Sequence, residues 1–120
     1  MRTPTNLKSK FELFIDHWSP KIIVGLNDYQ FKLVKIEGQL TRHEHKGTDE
    51  VFLVIECSIG IDFKDKIVSL KEGQMIVLKK GEQHKPFAFE EWKVLMVEPR
   101  GVANTGDSSG NLTSENDIWI

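Results

Sequence analysis

His43 and His45 stand one residue apart in GQLTRHEHKGTDE, residues 38–50, and Glu50 follows five residues after the second histidine. On a strand, residues i and i+2 share a face. A strand over residues 39–45 therefore predicts both imidazoles on one side and Glu44 on the other. Lys46, Gly47, Thr48 and Asp49 have the composition of a turn, which lets Glu50 open the next strand close to the imidazoles. Two imidazoles and a carboxylate converging from adjacent strands suit a divalent metal ion. His84, in LKKGEQHKP, is the fourth candidate ligand. Such a set suits Fe(II), Mn(II), Ni(II), Zn(II) or Cu(II) without selecting among them. An open coordination position would take water, oxygen or a chelating substrate.

The elements that must position these groups are short strands. Residues 51–57 are almost continuously apolar, as expected of a strand buried on both faces. Glu50, Phe52 and Val54 share one face, so Phe52 and Val54 are expected to line the cavity that Glu50 faces. Met75 and Trp92 are further candidate linings, with plain core as the alternative for all four. Glu56 shares that face but lies about 20 Å further along, beyond a ligand's reach. Cys57 reads as a buried small hydrophobe at the strand end. Leu7, Phe11, Phe14 and Ile15 recur near a period of 3.6, predicting a helix over residues 6–16 that caps the body with Trp18 and ends by Ser19-Pro20. Residues 21–26 and 29–36 flank Asn27-Asp28, a hairpin signal, and Glu37-Gly38 reads as a break. Residues 58–63 alternate, and residues 67–70, 75–78, 87–89 and 92–97 are expected to be the remaining strands. Residues 98–116, with Pro99, Gly101, Gly106 and Gly110, read as loop. The apolar end, residues 117–120, is expected to dock on the domain or on a partner subunit. Regularly spaced strands with turn signals and one brief helix predict an all-β sandwich or barrel.

The chain of 120 residues is read as a single domain, 39% hydrophobic and 28% charged, with net charge -2. That balance argues against a nucleic-acid or anionic-membrane partner. No apolar run is long enough to span a bilayer, and the first ten residues lack the apolar core of a signal peptide. One cysteine fits a reducing compartment, so a cytoplasmic location is expected. His17, outside the motif, reads as a packing or surface residue, and Lys79-Lys80 as a solvated turn. No Ser-His-Asp or Cys-His set suggests covalent catalysis, and no glycine-rich phosphate loop is present.

The histidine segments resemble the cupins, a family of small jelly-roll β-barrels. The first cupin motif is a glycine, a spacer, His-x-His, three or four residues, Glu, six residues and a glycine. Here Gly38, His43-Glu44-His45 and Glu50 fit it, while Cys57 replaces the closing glycine and Gly60 lies just beyond. In the second motif Gly73, Gly81 and His84 hold their places. Lys79 stands where proline is usual and Ala88 where asparagine is usual. These departures alter turn rigidity and late-strand polarity and leave the four ligand positions intact. The resemblance covers residues 21–97 as the barrel core, with residues 98–120 as a C-terminal loop and tail. It implies a mononuclear metal site at His43, His45, Glu50 and His84. The tail resembles small cupins described as mannose-6-phosphate isomerase-like, a relationship and not an assigned reaction.

Three functions follow from this reading. The first is a small metalloenzyme, an isomerase or oxygenase, acting on a polar small molecule such as a sugar or organic acid. The second is a sugar-phosphate isomerase, which would need a cationic pocket beside the motif face. The third is a non-catalytic small-molecule-binding cupin. A homodimer is expected, because the family commonly dimerises and residues 11–18 and 118–120 offer apolar surface.

Overall fold

The computed structural model describes residues 2–39, 44, 47–102 and 117–120. A short helix, α1 (Leu7–Phe11), precedes seven strands: β1 (Lys21–Leu26), β2 (Tyr29–Gln39), β3 (Glu50–Glu56), β4 (Ser58–Asp62), β5 (Ile67–Lys71), β6 (Met75–Leu78) and β7 (Lys85–Pro99). All the strand pairings are antiparallel. The expected all-β jelly-roll sandwich with one short N-terminal helix is the fold observed.

The long β7 joins the two layers. Its C-terminal half lies between β2 and β3, in the order β1-β2-β7-β3-β6. Its N-terminal half pairs with β4, which carries β5. Between these halves, Ile36 pairs with Trp92 and Gly38 with Ala88. Residues 89–91 thus bulge opposite Glu37 and bend the strand around a corner. The sequence predicted a break at Glu37-Gly38. Instead β2 continues through Gly38, whose φ of 82° is open to glycine without a Cβ penalty.

Alternation decides what faces inward. On β2, Lys32, Val34 and Ile36 are buried toward the interior with Phe52 and Val54 of β3 and Val94 and Met96 of β7. The outer face carries a second apolar cluster, in which Leu33 packs against Phe11 and Phe14. The helix expected over residues 6–16 stops at Phe11. Asn6 caps its start, accepting from the Ser9 amide at 3.0 Å. Beyond Glu12 tertiary contacts outweigh helix extension: the Phe14 carbonyl accepts from the buried Lys35 Nζ at 2.6 Å, and that ammonium stands 4.9 Å over the Phe14 ring.

Three further expectations change. Cys57 is exposed, with φ of 72°, at the bend between β3 and β4, which both run antiparallel to β7. Met75 is exposed on β6 and lines no interior cavity. Residues 98–99 belong to β7 and are not loop. The end of the chain docks on its own β1: the Ile22 amide donates to the Ile118 carbonyl at 2.7 Å and the Ile120 amide to the Ile22 carbonyl at 3.1 Å.

Candidate metal centre

Glu50 is the first residue of β3, and its side chain is 1% exposed. The alternation that buries Phe52 and Val54 buries Glu50 with them. His84 immediately precedes β7 and is equally buried. Its Nδ1 lies 3.0 Å from the Glu82 carbonyl. A carbonyl only accepts, so Nδ1 carries a proton, and Nε2 is the nitrogen turned toward Glu50. That Nε2 stands 3.3 Å from Glu50 Oε1. This close approach calls for a cation between the two atoms. A proton meets that need if the imidazole is charged, and a metal ion meets it if the imidazole is neutral.

The donor set fits a metal ion. Nitrogen and oxygen ligands sit ~2.1 Å from a Zn-sized ion, so two of them are about 3.0 Å apart at a right angle and about 3.4 Å at the tetrahedral angle. The observed separation falls inside that range. The hydrogen bond at Nδ1 is the outer support that orients metal-bound imidazoles. Of the four ligands expected from the sequence, Glu50 and His84 are brought together; His43 and His45 lie outside the described residues.

A second buried carboxylate, Glu98, was not anticipated. The register pairing Val51 with Val97 sets Glu98 opposite Glu50, and its side chain is 1% exposed. Lys32 Nζ donates to Glu98 Oε1 at 2.8 Å. Burial, and then the Glu50 carboxyl beside it, holds the Glu98 carboxyl well above the ordinary carboxylate range, against the opposing pull of Lys32. The signal was available: inward alternation through Val94 and Met96 reaches Glu98 if the last strand continues one residue past Val97.

One step further into the sandwich the lining becomes apolar. Val34, Phe52, Pro86 and Met96, each two residues from a member of the polar layer, enclose a cavity of about 20 Å³ with Trp18, Pro20 and Ile36. That is room for one water. Phe52 lines this cavity, and Val54 is fully buried core. A wider groove of about 290 Å³ passes Tyr29, Thr48, Asp49, Lys80 and Val97. It lies on the outer face, where Tyr29, Val51 and Val97 point, and Glu50 is also among its lining residues, with its side chain 1% exposed. His17 sits apart, with Nε2 2.6 Å from Glu91 Oε2 and 3.8 Å from Glu37 Oε2, at the corner where β7 bends.

The chain is 52% identical to a cupin-2 domain containing protein from Shewanella frigidimarina NCIMB 400, with a TM-score of 0.79 over 80% of this chain and 94% of that one. The chain belongs to the cupin superfamily. It is 28% identical to protein NMB1881 from Neisseria meningitidis, with a TM-score of 0.74 over 81% of this chain and 99% of that one. A Bacillus subtilis (strain 168) relative, the uncharacterized protein YdbB, is 34% identical over 77 residues, 63% of this chain and 68% of its own. No family model matches the chain. Among the described residues no helix is long and apolar enough to cross a membrane.

Proposed function

We propose that this cupin binds one divalent transition-metal ion through Glu50 and His84 together with His43 and His45, and that it acts on a polar small molecule. The observation that carries this reading is the 3.3 Å approach of a buried carboxylate oxygen to an imidazole nitrogen whose partner nitrogen is already committed. When bound, such an ion supplies Lewis acidity or oxygen activation. The chain's own residues do the rest. Glu82 orients His84, the strand alternation holds Glu50 inward, and Phe52 and Met96 make the neighbouring layer apolar.

The sugar-phosphate isomerase reading needs a cation available to a phosphate. Among the described residues, the buried Lys32 ammonium is taken by Glu98 at 2.8 Å, so this reading is the weaker one. A non-catalytic cupin would use the same residues and differ only in turnover. The homodimer expected from the sequence belongs to this proposal as well. Its assumed surface is partly spent within the chain, since Phe11 and Phe14 are buried, while Leu13, Ile15 and Trp119 stay exposed. A monomer in sedimentation velocity at micromolar concentration would remove it.

The test is elemental analysis of gently purified protein without a His tag, beside a His43→Ala/His84→Ala variant. Near-stoichiometric transition metal in the wild type, lost from the still-folded variant, is expected. A wild type that takes up no Fe(II), Mn(II), Ni(II) or Zn(II) on reconstitution would overturn the proposal.

A further inference from the structure

Where β7 bends, three ligand-type side chains from three parts of the chain meet. Glu37 stands on β2 opposite the bulged residues 89–91 of β7, and Glu91 is the last of these. His17 reaches both from the segment between α1 and β1. Its neighbour fastens that segment: the Trp18 amide donates to the Lys35 carbonyl at 2.9 Å, and Trp18 Nε1 donates to the Glu37 carbonyl at 2.7 Å. His17 Nε2 lies 2.6 Å from Glu91 Oε2 and 3.8 Å from Glu37 Oε2. One donor atom from each of the three residues lies within 4.8 Å of the other two. A hydrogen bond accounts for the nearer carboxylate only, since 3.8 Å is too long for a second one. The two like charges nevertheless crowd one nitrogen, although both side chains are exposed enough to swing apart. The lysines whose charge acts on Glu91 are engaged elsewhere. Lys35 Nζ donates to the Phe14 carbonyl at 2.6 Å, and Lys93 Nζ pairs with Glu56 at 2.9 Å.

We propose that His17, Glu37 and Glu91 form a second divalent-cation site, on the surface and separate from the buried centre. One imidazole nitrogen and two carboxylate oxygens are a donor set that suits Zn(II). The ion takes the place of the proton between His17 and Glu91. The imidazole then carries its proton on Nδ1 and turns the Nε2 lone pair to the metal. Bonds of about 2.1 Å put two ligands about 3.0 Å apart at a right angle. His17 and Glu91 therefore part by a few tenths of an ångström, and Glu37 closes in. The two carboxylates balance the charge of the ion, and solvent supplies its remaining ligands. A cation held there joins the segment before β1 to β2 and β7 at the corner. The site shares no residue with the Glu50–His84 centre and does not depend on it.

The chain has four histidines, so His43→Ala/His45→Ala/His84→Ala removes the buried centre and leaves His17 as the one imidazole. The experiment is a competition titration of Zn(II) against a chromophoric chelator in this full-length variant, prepared without a His tag, together with the nitrogen NMR spectrum of its labelled imidazole. One equivalent of Zn(II) is expected to bind and to shift the Nε2 resonance. Adding Glu37→Gln or Glu91→Gln is expected to weaken binding at least about tenfold, the scale on which even an outer partner of a metal ligand acts. Should the triple variant fail to fold, wild type is expected to bind one equivalent of Zn(II) more than His17→Gln. Unchanged affinity in either glutamate variant would overturn the proposal and leave an adventitious ion only, held by a lone surface imidazole. An unshifted Nε2 resonance, or equal stoichiometry in wild type and His17→Gln, would overturn it as well.

Discussion

The Glu82 carbonyl accepts from His84 Nδ1 at 3.0 Å, so the imidazole turns Nε2 toward the Glu50 carboxylate. A metal ion held there binds the folded state and not the unfolded chain. At a hundred times its dissociation constant it should stabilise by about 2.7 kcal/mol. Thermal unfolding with and without Zn(II) should show a clear upward shift of the midpoint, absent in His84→Ala. Equal midpoints for wild type and variant at saturating metal would contradict this.

Gly60 lies under the ring of Phe87. A Cβ at residue 60 would stand 2.3 Å from the ring's Cζ, and the two residues are paired across β4 and β7. Gly60→Ala must push the ring or the strand aside, at a cost of about 1–3 kcal/mol. Phe87→Leu in the same chain should recover part of that loss. Urea unfolding of the two single variants and the double variant measures the coupling; strictly additive effects would mean that the contact is not the cause.

The hydrogen bond from His17 holds the Glu91 carboxyl below its ordinary value, despite some opposing burial. A carboxyl lowered in the folded state contributes stability above its unfolded pKa, near 4.5. That contribution disappears as the pH falls through the lower folded value. Both partners are substantially exposed, so it amounts to about 0.2–1 kcal/mol at most. Stability measured from pH 6 downward should fall less steeply in Glu91→Gln than in wild type. An acid limb of the same slope would rule out the pair as a contributor.

Phe11 is 2% exposed between Phe14 and Leu33 on the outer face of the sheet. Phe11→Ala should cost about 3–5 kcal/mol. Metal affinity should barely change, because the sheet separates this cluster from the polar layer. A denaturant series gives the first quantity and the chelator competition the second. A large loss of affinity would mean that the outer cluster helps to shape the site.

The jelly roll was legible because alternation and turn chemistry are local. Asn27-Asp28 forms the hairpin between β1 and β2, where Leu26 pairs with Tyr29, and Glu50, Phe52 and Val54 share the buried face that their spacing required. The helix was overestimated because a 3.6-residue pattern does not reveal that Lys35, far along the chain, takes the Phe14 carbonyl. Cys57 was misread because an apolar run does not show where the chain bends from one strand into the next.

At the site the division follows from chain separation. The types and spacing of His43, His45, Glu50 and His84, and the inward face of Glu50, were determined by the sequence alone, since each depends only on neighbours and on strand period. The tertiary structure decided that His84 Nε2 meets Glu50, that Glu98 stands across from Glu50, and that Lys32 reaches Glu98 across a separation of 66 positions. Those contacts depend on the register of β2 and β3 against β7, which the cores of both sheet faces set together and no local stretch of the chain encodes.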